Sequence, residues 1–297
     1  GLLHAKELKS LNKEWLYISG FNSSLKSWIG QLSISLLKFD SYYVFPNNQT
    51  LSKFLKINRA NNDTWPTQEK LKTEEKNYGY STLAKKQFKE KGSIPYLEFK
   101  ADIIKSALDF IDNYITPHRL VTVHLKNSTR VSGKADWYNA DFDAWIPFFK
   151  KSLSSFDVKF LLIGDETIPE EIHKLPNVLT SQTFSNSLTL DLALIQASYA
   201  FMGSASGPST IAKYSATPYL IYKNPNHHVN EMKKDLGSID HYNFARSFQR
   251  LIRKLEDQNL IFSDFENLYT NIQNSEWETR LKKLKEVVFT SSKKIDR

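Results

Sequence analysis

Residues 199–210, Tyr-Ala-Phe-Met-Gly-Ser-Ala-Ser-Gly-Pro-Ser-Thr, carry the clearest fold signal in the sequence. The apolar run 199–202 has the composition of a buried strand, and a loop of small residues follows it. Proline is common at the first position of a helix, so we expect a tight loop at 203–208 and a helix that opens at Pro208. A strand, a glycine-containing loop and a helix in this order are typical of a parallel α/β sheet.

The same alternation extends outward from this stretch. Apolar runs predict strands, and apolar residues at helical spacing predict helices between them. In the second half, the predicted strands are 120–125, 158–163, 177–180 and 218–222, and the predicted helices are 101–115, 141–153 and a segment around 190–197. In the first half, strands at 15–18 and 42–45 flank helical spacing at 25–36. The weaker pattern of 58–98 predicts loops with one or two short helices, and the chain after Pro225 is expected to be mainly helical, with a last helix around 277–288.

These elements predict an α/β protein of three α/β/α layers with parallel sheets. We expect two Rossmann-like domains that face a cleft. The expected division is an N-terminal domain at 1–110, a C-terminal domain at 111–270 and a helix at 271–297 that crosses back.

The composition removes several function classes. The chain of 297 residues has no cysteine, which excludes disulfide scaffolds, cysteine-ligated zinc, iron–sulfur clusters and thiol nucleophiles. The formal charge is +8, but only 8 of the 40 basic residues are arginine, and the lysines of 70–91 alternate with glutamates. A nucleic-acid surface favours arginine, so we expect no nucleic-acid partner. No apolar stretch is long enough to span a bilayer and no signal peptide is visible, so a cytoplasmic location with at most peripheral membrane contact is expected.

The loop after residue 202 is the strongest candidate for a ligand site. Its glycines let backbone N–H groups approach a ligand, and a helix N-terminus adds positive charge. A diphosphate has the charge and size for such a cradle, although a tight turn with capping serines explains the same residues. The candidates in this loop are Gly203, Ser204, Ser206, Gly207, Ser209 and Thr210.

A second candidate region follows the strand at 120–125. His124, Lys126 and Arg130 can offer hydrogen-bond donors and positive charge to a phosphate or sugar beyond the carboxyl end of that strand. The alternative is a buried histidine bonded to the backbone, with the lysine in solvent. Asp165 follows the next strand, where it can contact a ribose or a base, or be a solvated loop residue.

Two other patterns look like metal sites but have simpler explanations. Asp141 and Asp143 resemble a paired-acid metal motif, but they open an amphipathic helix, where capping explains them. His227 and His228 have no further ligand at suitable spacing. We therefore expect no metal and no cofactor. In the first half, Gly20, Asn22 and Ser23 form a loop whose backbone donors can hold an acceptor or a second phosphate, or simply make a βα turn.

Four segments resemble glycosyltransferases of the GT-B type, nearest to the fucosyltransferase-like group and to bacterial glycosyltransferases of surface polysaccharide clusters. Ser19-Gly20-Phe21-Asn22 resembles a Gly-Phe/Leu-Gly-Asn-Gln loop, and Val123-His124-Leu125-Lys126 resembles a strand end with the motif His-x-Arg. Tyr138-Asn139-Ala140-Asp141 resembles an Asn-Ala-Asp helix opening. Residues 201–207 resemble a donor-binding loop with the motif Gly-Ser/Thr-x-Ser-Gly. The resemblance covers roughly 14–45 and 80–225. Lys126 stands where the family has arginine, and a lysine cannot make the two parallel hydrogen bonds to phosphate that an arginine makes.

The resemblance implies an enzyme that moves a sugar from a nucleotide-diphosphate donor, with a GDP-sugar favoured, to a glycan or lipid-linked acceptor without a metal. The N-terminal domain would be the acceptor side, and the C-terminal domain would bind the donor through the loop 203–210, Lys126, Arg130 and Asp165. His124 and Lys126 are the catalytic candidates. A sugar-nucleotide epimerase of the same fold and a non-catalytic sugar-nucleotide-binding protein remain alternatives.

Overall fold

The computed structural model describes residues 16–19, 41–44, 48–60, 80–127, 138–184, 187–272 and 274–295. The chain forms two compact units, Gly1–Lys100 and Ala101–Arg297. The domain boundaries expected at 110 and 270 stay predictions.

The described residues of the first unit form a small parallel strand pair and two helices. Strand β1 is Leu16–Ser19 and β2 is Ser41–Val44, paired in register from Leu16 and Ser41 onward. Helices α1 (Asn48–Ala60) and α2 (Tyr80–Lys91) follow, with 13 and 12 residues. Both strands lie within one residue of their predicted positions. Helix α2 falls in the segment where short helices were expected, whereas most of α1 precedes that segment and was not predicted. The helix predicted at 25–36 lies outside the described residues.

The second unit alternates strands and helices from end to end. Its strands are β3 (Arg119–His124), β4 (Val158–Leu162), β5 (Val178–Thr180), β6 (Ala200–Ser204), β7 (Tyr219–Tyr222) and β8 (Gln249–Ile252). Its helices are α3 (Ala101–Tyr114), α4 (Phe142–Ser155), α5 (Glu170–His173), α6 (Leu188–Ala197), α7 (Ser209–Lys213), α8 (Val229–Leu236), α9 (Gln258–Asn271) and α10 (Asn274–Ile295).

These six strands form one parallel sheet in the order β5-β4-β3-β6-β7-β8. The chain starts in the middle at β3, winds outward to β5, and then returns to β6 on the other side of β3. Strands β3 and β6 therefore flank the point where the winding direction reverses. Doubly wound sheets bind their ligands outside the carboxyl ends of the strands at such a switch point. The predicted α/β class with a parallel sheet is confirmed.

Both faces of this sheet are covered, which explains why its strands are almost continuously apolar. Alternate residues such as Val121 and Val123 point toward α4 and α9, where the largest cluster of buried aromatic rings lies. Its fully buried rings include Trp145, Phe148, Phe149, Phe160, Tyr199 and Phe265. Helix α6 packs against α3 and α7, and α10 packs against α3 and α6. The core thus fixes the sheet from two sides and leaves the carboxyl ends of its strands to the loops.

Two sequence predictions for the second unit are wrong in detail, and one strand was not predicted. Gly203 and Ser204 belong to β6 rather than to the following loop, because both pair with β7. Helix α7 begins at Ser209 and has only five residues. The chain after Pro225 is mainly helical, as predicted, through α8, α9 and α10, but it also contains the unpredicted strand β8, which is the sixth strand of the sheet.

Among the described residues, no helix combines the length and the apolar character needed to cross a bilayer.

Candidate functional site

The two sequence-predicted ligand regions of the second unit meet at the switch point. In the register of β3 and β6, His124 lies opposite Gly203. Gly203 has a φ of 127°, and a β-carbon there would lie 2.2 Å from the carbonyl oxygen of His124. Such a distance is far below van der Waals contact, so the close approach of the two strand ends requires glycine at this position.

His124 is the last residue of β3, and its side chain contacts the loops that follow β6 and β4. Its side chain is only 4% exposed, and its Nδ1 lies 2.9 Å from the Oγ of Ser206 in the loop after β6. Its Nε2 lies 3.4 Å from Oε1 of Glu166 in the loop after β4. Gly164 leaves room for the ring, because a β-carbon there would lie 3.1 Å from its Cδ2. Ser206, His124 and Glu166 therefore form one hydrogen-bonded chain, called here the Ser206–His124–Glu166 relay.

The loop that carries Glu166 is itself held in place. The Gly164 N–H donates to the Oδ2 of Asp191 at 3.1 Å, and the side-chain amide of Gln182 donates to the carbonyl oxygens of Gly164 and Glu166. Burial alone would raise the pKa of the Glu166 carboxyl, but the hydrogen bond and the charge of His124 bring that pKa below its usual range. Glu166 therefore presents a carboxylate to the imidazole.

The loop after β6 is folded by its own serines. Ser209 is fully buried, its Oγ donates to the Ser206 carbonyl at 2.7 Å, and the Ser206 N–H donates back to that Oγ. The Oγ of Ser204 accepts from the backbone N–H of Lys126 at 3.2 Å. Gly207 is exposed and Thr210 is half-buried. The serines thus cap and fasten the loop, and the five-residue helix that follows contributes little dipole.

A cavity of about 400 Å³ opens beside the switch point, beyond the carboxyl ends of β6, β7 and β8. Its walls come from five segments of the second unit: 138–141, 204–205, 222–224, 227 and 254–256. Pockets of this size hold small-molecule ligands. Ser204 belongs both to this cavity and to the predicted donor loop.

One wall of the cavity is cationic. Lys223 is buried at the end of β7, and burial followed by the charge of Arg253 lowers its pKa to about 8. The Nζ of Lys223 lies 3.4 Å from the Nδ1 of His227. Burial and the nearby Lys223 lower the pKa of His227 to about 4. Lys254 is exposed at the rim. At neutral pH this wall therefore carries ammonium groups beside an uncharged imidazole.

Asp141 and Glu256 place carboxyl groups in the lining of the same cavity. Asp141 caps α4 by accepting from the Asp143 N–H at 3.0 Å, as the capping interpretation predicts. The Oε2 of Glu256 accepts from the Asp141 N–H at 2.6 Å and from the indole N–H of Trp145 at 2.9 Å. Its Oε1 has no partner among the described residues. Burial raises the pKa of Glu256 above its ordinary value, although these two donors oppose the shift.

Lys126 links the relay to the cavity. Its ammonium lies 4.8 Å from the centre of the Tyr138 ring, and that ring packs edge-on against His227 at 4.0 Å. Its charge acts on Glu166 on one side and on Lys223 on the other. Lys126 is therefore half-buried against Tyr138 and does not lie in open solvent, which was the alternative suggested by the sequence.

The remaining predicted site residues divide into one described residue and several outside the described ranges. Asp165 is exposed and lines neither the relay nor the cavity. Arg130 and the loop with Gly20, Asn22 and Ser23 lie outside the described residues. Within the described ranges, no group of three or more histidine, aspartate or glutamate side chains is placed to hold a metal ion.

Four residues of the site have no counterpart among the sequence predictions: Glu166, Lys223, Lys254 and Glu256. Glu166 is the nearest miss, because it follows Gly164 and Asp165 at a strand end that the sequence had marked. Lys223 and Glu256 follow β7 and β8, and the position of each beyond a strand end is their only sequence signal.

No protein-family profile matches the sequence, and no curated protein sequence matches it significantly. Among solved structures, the chain is similar to E. coli ADP-heptose LPS heptosyltransferase II, with a TM-score of 0.42 and 10% identity. The match covers 60% of this chain and 54% of that one, so it spans about half of the heptosyltransferase. A likeness this distant carries no argument about the activity of the present chain.

Proposed function

We propose that this chain is a glycosyltransferase that takes a sugar from a nucleoside-diphosphate donor, preferentially a GDP-sugar. The acceptor would be a glycan or a lipid-linked glycan. The observation that carries the proposal is the cavity beside the switch point, which sets ammonium groups against carboxylates. The resemblance of 201–207 to a donor-binding loop points to the same ligand class.

The cationic wall suits the diphosphate. A buried ammonium with a lowered pKa gains a partner when an anion binds, so Lys223 is the principal anchor that we assign. Lys254 at the rim and Lys126 at the switch point add positive charge. In the transfer step the acceptor hydroxyl oxygen bonds to the sugar C1 and loses its proton to solvent, while the bond between C1 and the diphosphate oxygen breaks and its electron pair stays on that oxygen. Fixed ammonium groups stabilise this charge, which is the task that a metal performs in other transferases.

The acidic wall suits hydroxyl groups. The unengaged Oε1 of Glu256 and the carboxylate of Asp141 are acceptors of the kind that bind ribose or sugar hydroxyls. A ligand with phosphates at one end and hydroxyls at the other matches both walls at once.

Activity is tested by incubating the full chain with GDP-sugars, UDP-sugars and candidate glycan acceptors, and by measuring released nucleoside diphosphate. We expect release that depends on acceptor and that is lost in Lys223→Ala. Lys233→Ala is the matched control, because that lysine is exposed on α8. It should keep wild-type release.

The products distinguish the alternatives. NMR of the reaction would show an interconverted UDP-sugar without acceptor for an epimerase. Binding without turnover of any donor would indicate a non-catalytic sugar-nucleotide-binding protein. Absence of both binding and turnover with every donor would rule out all three.

A further inference from the structure

Lys223 and His227 contact each other in the lining of the cavity, and the contact engages only part of the lysine. The Nζ of Lys223 lies 3.4 Å from Nδ1 of His227, and both side chains are buried. An ammonium has three N–H donors and no acceptor, so Nδ1 must accept one of them. Within the described ranges, Nζ has no second hydrogen-bond partner. Two N–H groups therefore remain for a ligand in the cavity.

The imidazole of His227 is fixed from three directions. Its Nε2 lies 3.1 Å from Nε2 of His228, its ring packs edge-on against Tyr138, and its backbone N–H donates to the Asn224 carbonyl at 3.0 Å. The ring is uncharged at pH 7, because burial and the nearby ammonium lower its pKa to about 4. Since Nδ1 accepts from Lys223, the single ring proton lies on Nε2 and is donated to His228.

The charged groups that face Lys223 come from three neighbouring segments. Burial, followed by the charge of Arg253 after β8, lowers the pKa of Lys223 to about 8. Glu231 on α8 opposes this shift, and Lys126 after β3 adds to it. Lys223 is therefore mainly an ammonium at pH 7. An uncharged acceptor at His227 favours this charged form, because a hydrogen bond to the charged state stabilises it.

We propose that His227 is a positioning residue that holds one N–H of the Lys223 ammonium and directs the other two to the two phosphates of the donor. A nucleoside diphosphate offers an oxygen of each phosphate to these donors, whereas a nucleoside monophosphate has no second phosphate to accept the other N–H. The site therefore selects sugars activated by a nucleoside diphosphate over those activated by a monophosphate. This inference rests on the proposed function.

The contact is tested first without ligand. Nitrogen-15 NMR of the imidazoles at pH 7, with His227 assigned from a His227→Asn variant, should find the ring proton on Nε2. Carbon-13 NMR of the lysine side chains, with Lys223 assigned from Lys223→Arg, should give a titration midpoint near pH 8. His227→Phe keeps a ring against Tyr138 but removes the acceptor. The Lys223 midpoint should then fall by about half a pH unit or more, because the ammonium loses a hydrogen bond.

Two further variants separate the acceptor from the side chain as a whole. His227→Asn is the rescuing variant, because its side-chain oxygen can take the place of Nδ1, and it should restore most of the wild-type midpoint. His173→Phe changes an exposed histidine of α5 in the same way and should leave the Lys223 midpoint unchanged.

The second step compares GDP with GMP by isothermal titration at pH 7. Wild-type protein should bind GDP more tightly than GMP. In His227→Phe the ratio of the two affinities should narrow by about threefold or more, because a misdirected ammonium loses its bond to the second phosphate. His227→Asn should recover most of the ratio, and His173→Phe should keep it.

Each result decides one part of the proposal. A ring proton on Nδ1 of His227 at pH 7, or a Lys223 midpoint that His227→Phe does not lower, overturns the positioning role. An affinity ratio that is the same in His227→Phe and wild type overturns the selection of diphosphates. If GDP, UDP, ADP and CMP all fail to bind, the proposed function and the selection fail together, and the ligand-free titration still decides whether His227 positions Lys223.

Discussion

Gly203 adopts a φ of 127°, and its α-carbon faces the backbone of His124 on the neighbouring strand. Both residues are ligand candidates from the sequence, His124 at the end of a predicted strand and Gly203 at the start of the loop after another. The sequence could not predict that they are neighbours, because strand order depends on how the helices pack on the sheet. Gly203 is therefore required for the close approach of β6 to β3, whether or not it also contacts a ligand.

Replacing Gly203 by alanine should therefore destabilise the protein severely. The new methyl group would clash with the His124 carbonyl and hold an unfavourable φ, which we expect to cost about 3 kcal/mol or more of unfolding free energy. Gly237→Ala is the matched control, because Gly237 has a φ of 63° and no atom within 4 Å of the added carbon. It should cost about 1 to 3 kcal/mol from its backbone conformation alone, and less than Gly203→Ala, which adds the clash. Urea denaturation that finds equal losses for the two variants would contradict the steric account.

His227 makes a second residue-scale prediction, on acid stability. Its pKa is about 4 in the folded protein, below the ordinary histidine value of about 6.5. Between these pH values the unfolded chain binds a proton that the folded protein does not. Unfolding free energy should therefore fall as the pH drops from about 6.5 to 4, by about 1 to 3 kcal/mol from this residue.

Denaturation curves at several pH values check this in His227→Gln and in His173→Gln, an exposed histidine of α5. The first variant should have a flatter acid slope than wild type, and the second should not. An unchanged slope in His227→Gln would show that burial of this imidazole does not govern acid stability.

Among the elements, β8 shows why pattern reading fails at a sheet edge. Its sequence Gln-Arg-Leu-Ile has only two apolar residues, so it lacks a strand signature. It is a strand because it pairs with β7, and its buried Gln249 donates to the carbonyl oxygens of Ser215 and Thr217. The long strands β3 and β4 were predicted correctly because continuous apolar runs are typical of buried parallel strands.

The segment after β8 fixes the start of α4 through Glu256. Glu256→Ala would leave the indole N–H of the fully buried Trp145 and the Asp141 N–H without an acceptor. We expect a loss of about 1 to 3 kcal/mol in unfolding free energy, which is the cost of the one buried donor left unsatisfied, because Asp141 is exposed and water can replace the acceptor of its N–H. Glu256→Gln keeps an acceptor and should lose less than half as much.

Glu266→Ala on the exposed side of α9 is the control and should change stability by no more than about 0.5 kcal/mol. If Glu256→Ala unfolds at the same urea concentration as this control, the carboxylate does not fasten α4.

For the whole molecule, the sequence predicted the α/β class and the two strand ends that meet at the switch point. It did not predict the cavity. Lys223 and Glu256 are separated by 33 positions along the chain, and only the pairing of β7 with β8 brings their segments to one wall. The net charge of +8 did not help to locate the site. The lysines of the site, Lys126, Lys223 and Lys254, differ from the other lysines in their positions beside the cavity, which the sequence does not show.

The central proposal is that the cavity beyond β6, β7 and β8 binds a nucleoside diphosphate through Lys223. Isothermal titration of the full chain with GDP, UDP, ADP and CMP tests it most directly. We expect saturable binding of one nucleoside diphosphate, weakened about tenfold or more in Lys223→Ala, as loss of a charge-assisted hydrogen bond predicts. Affinity should fall as the pH rises through about 8, where Lys223 loses its proton, and Lys223→Arg should remove that fall. Absence of binding with all four nucleotides, or equal affinity in Lys223→Ala, would contradict the claim.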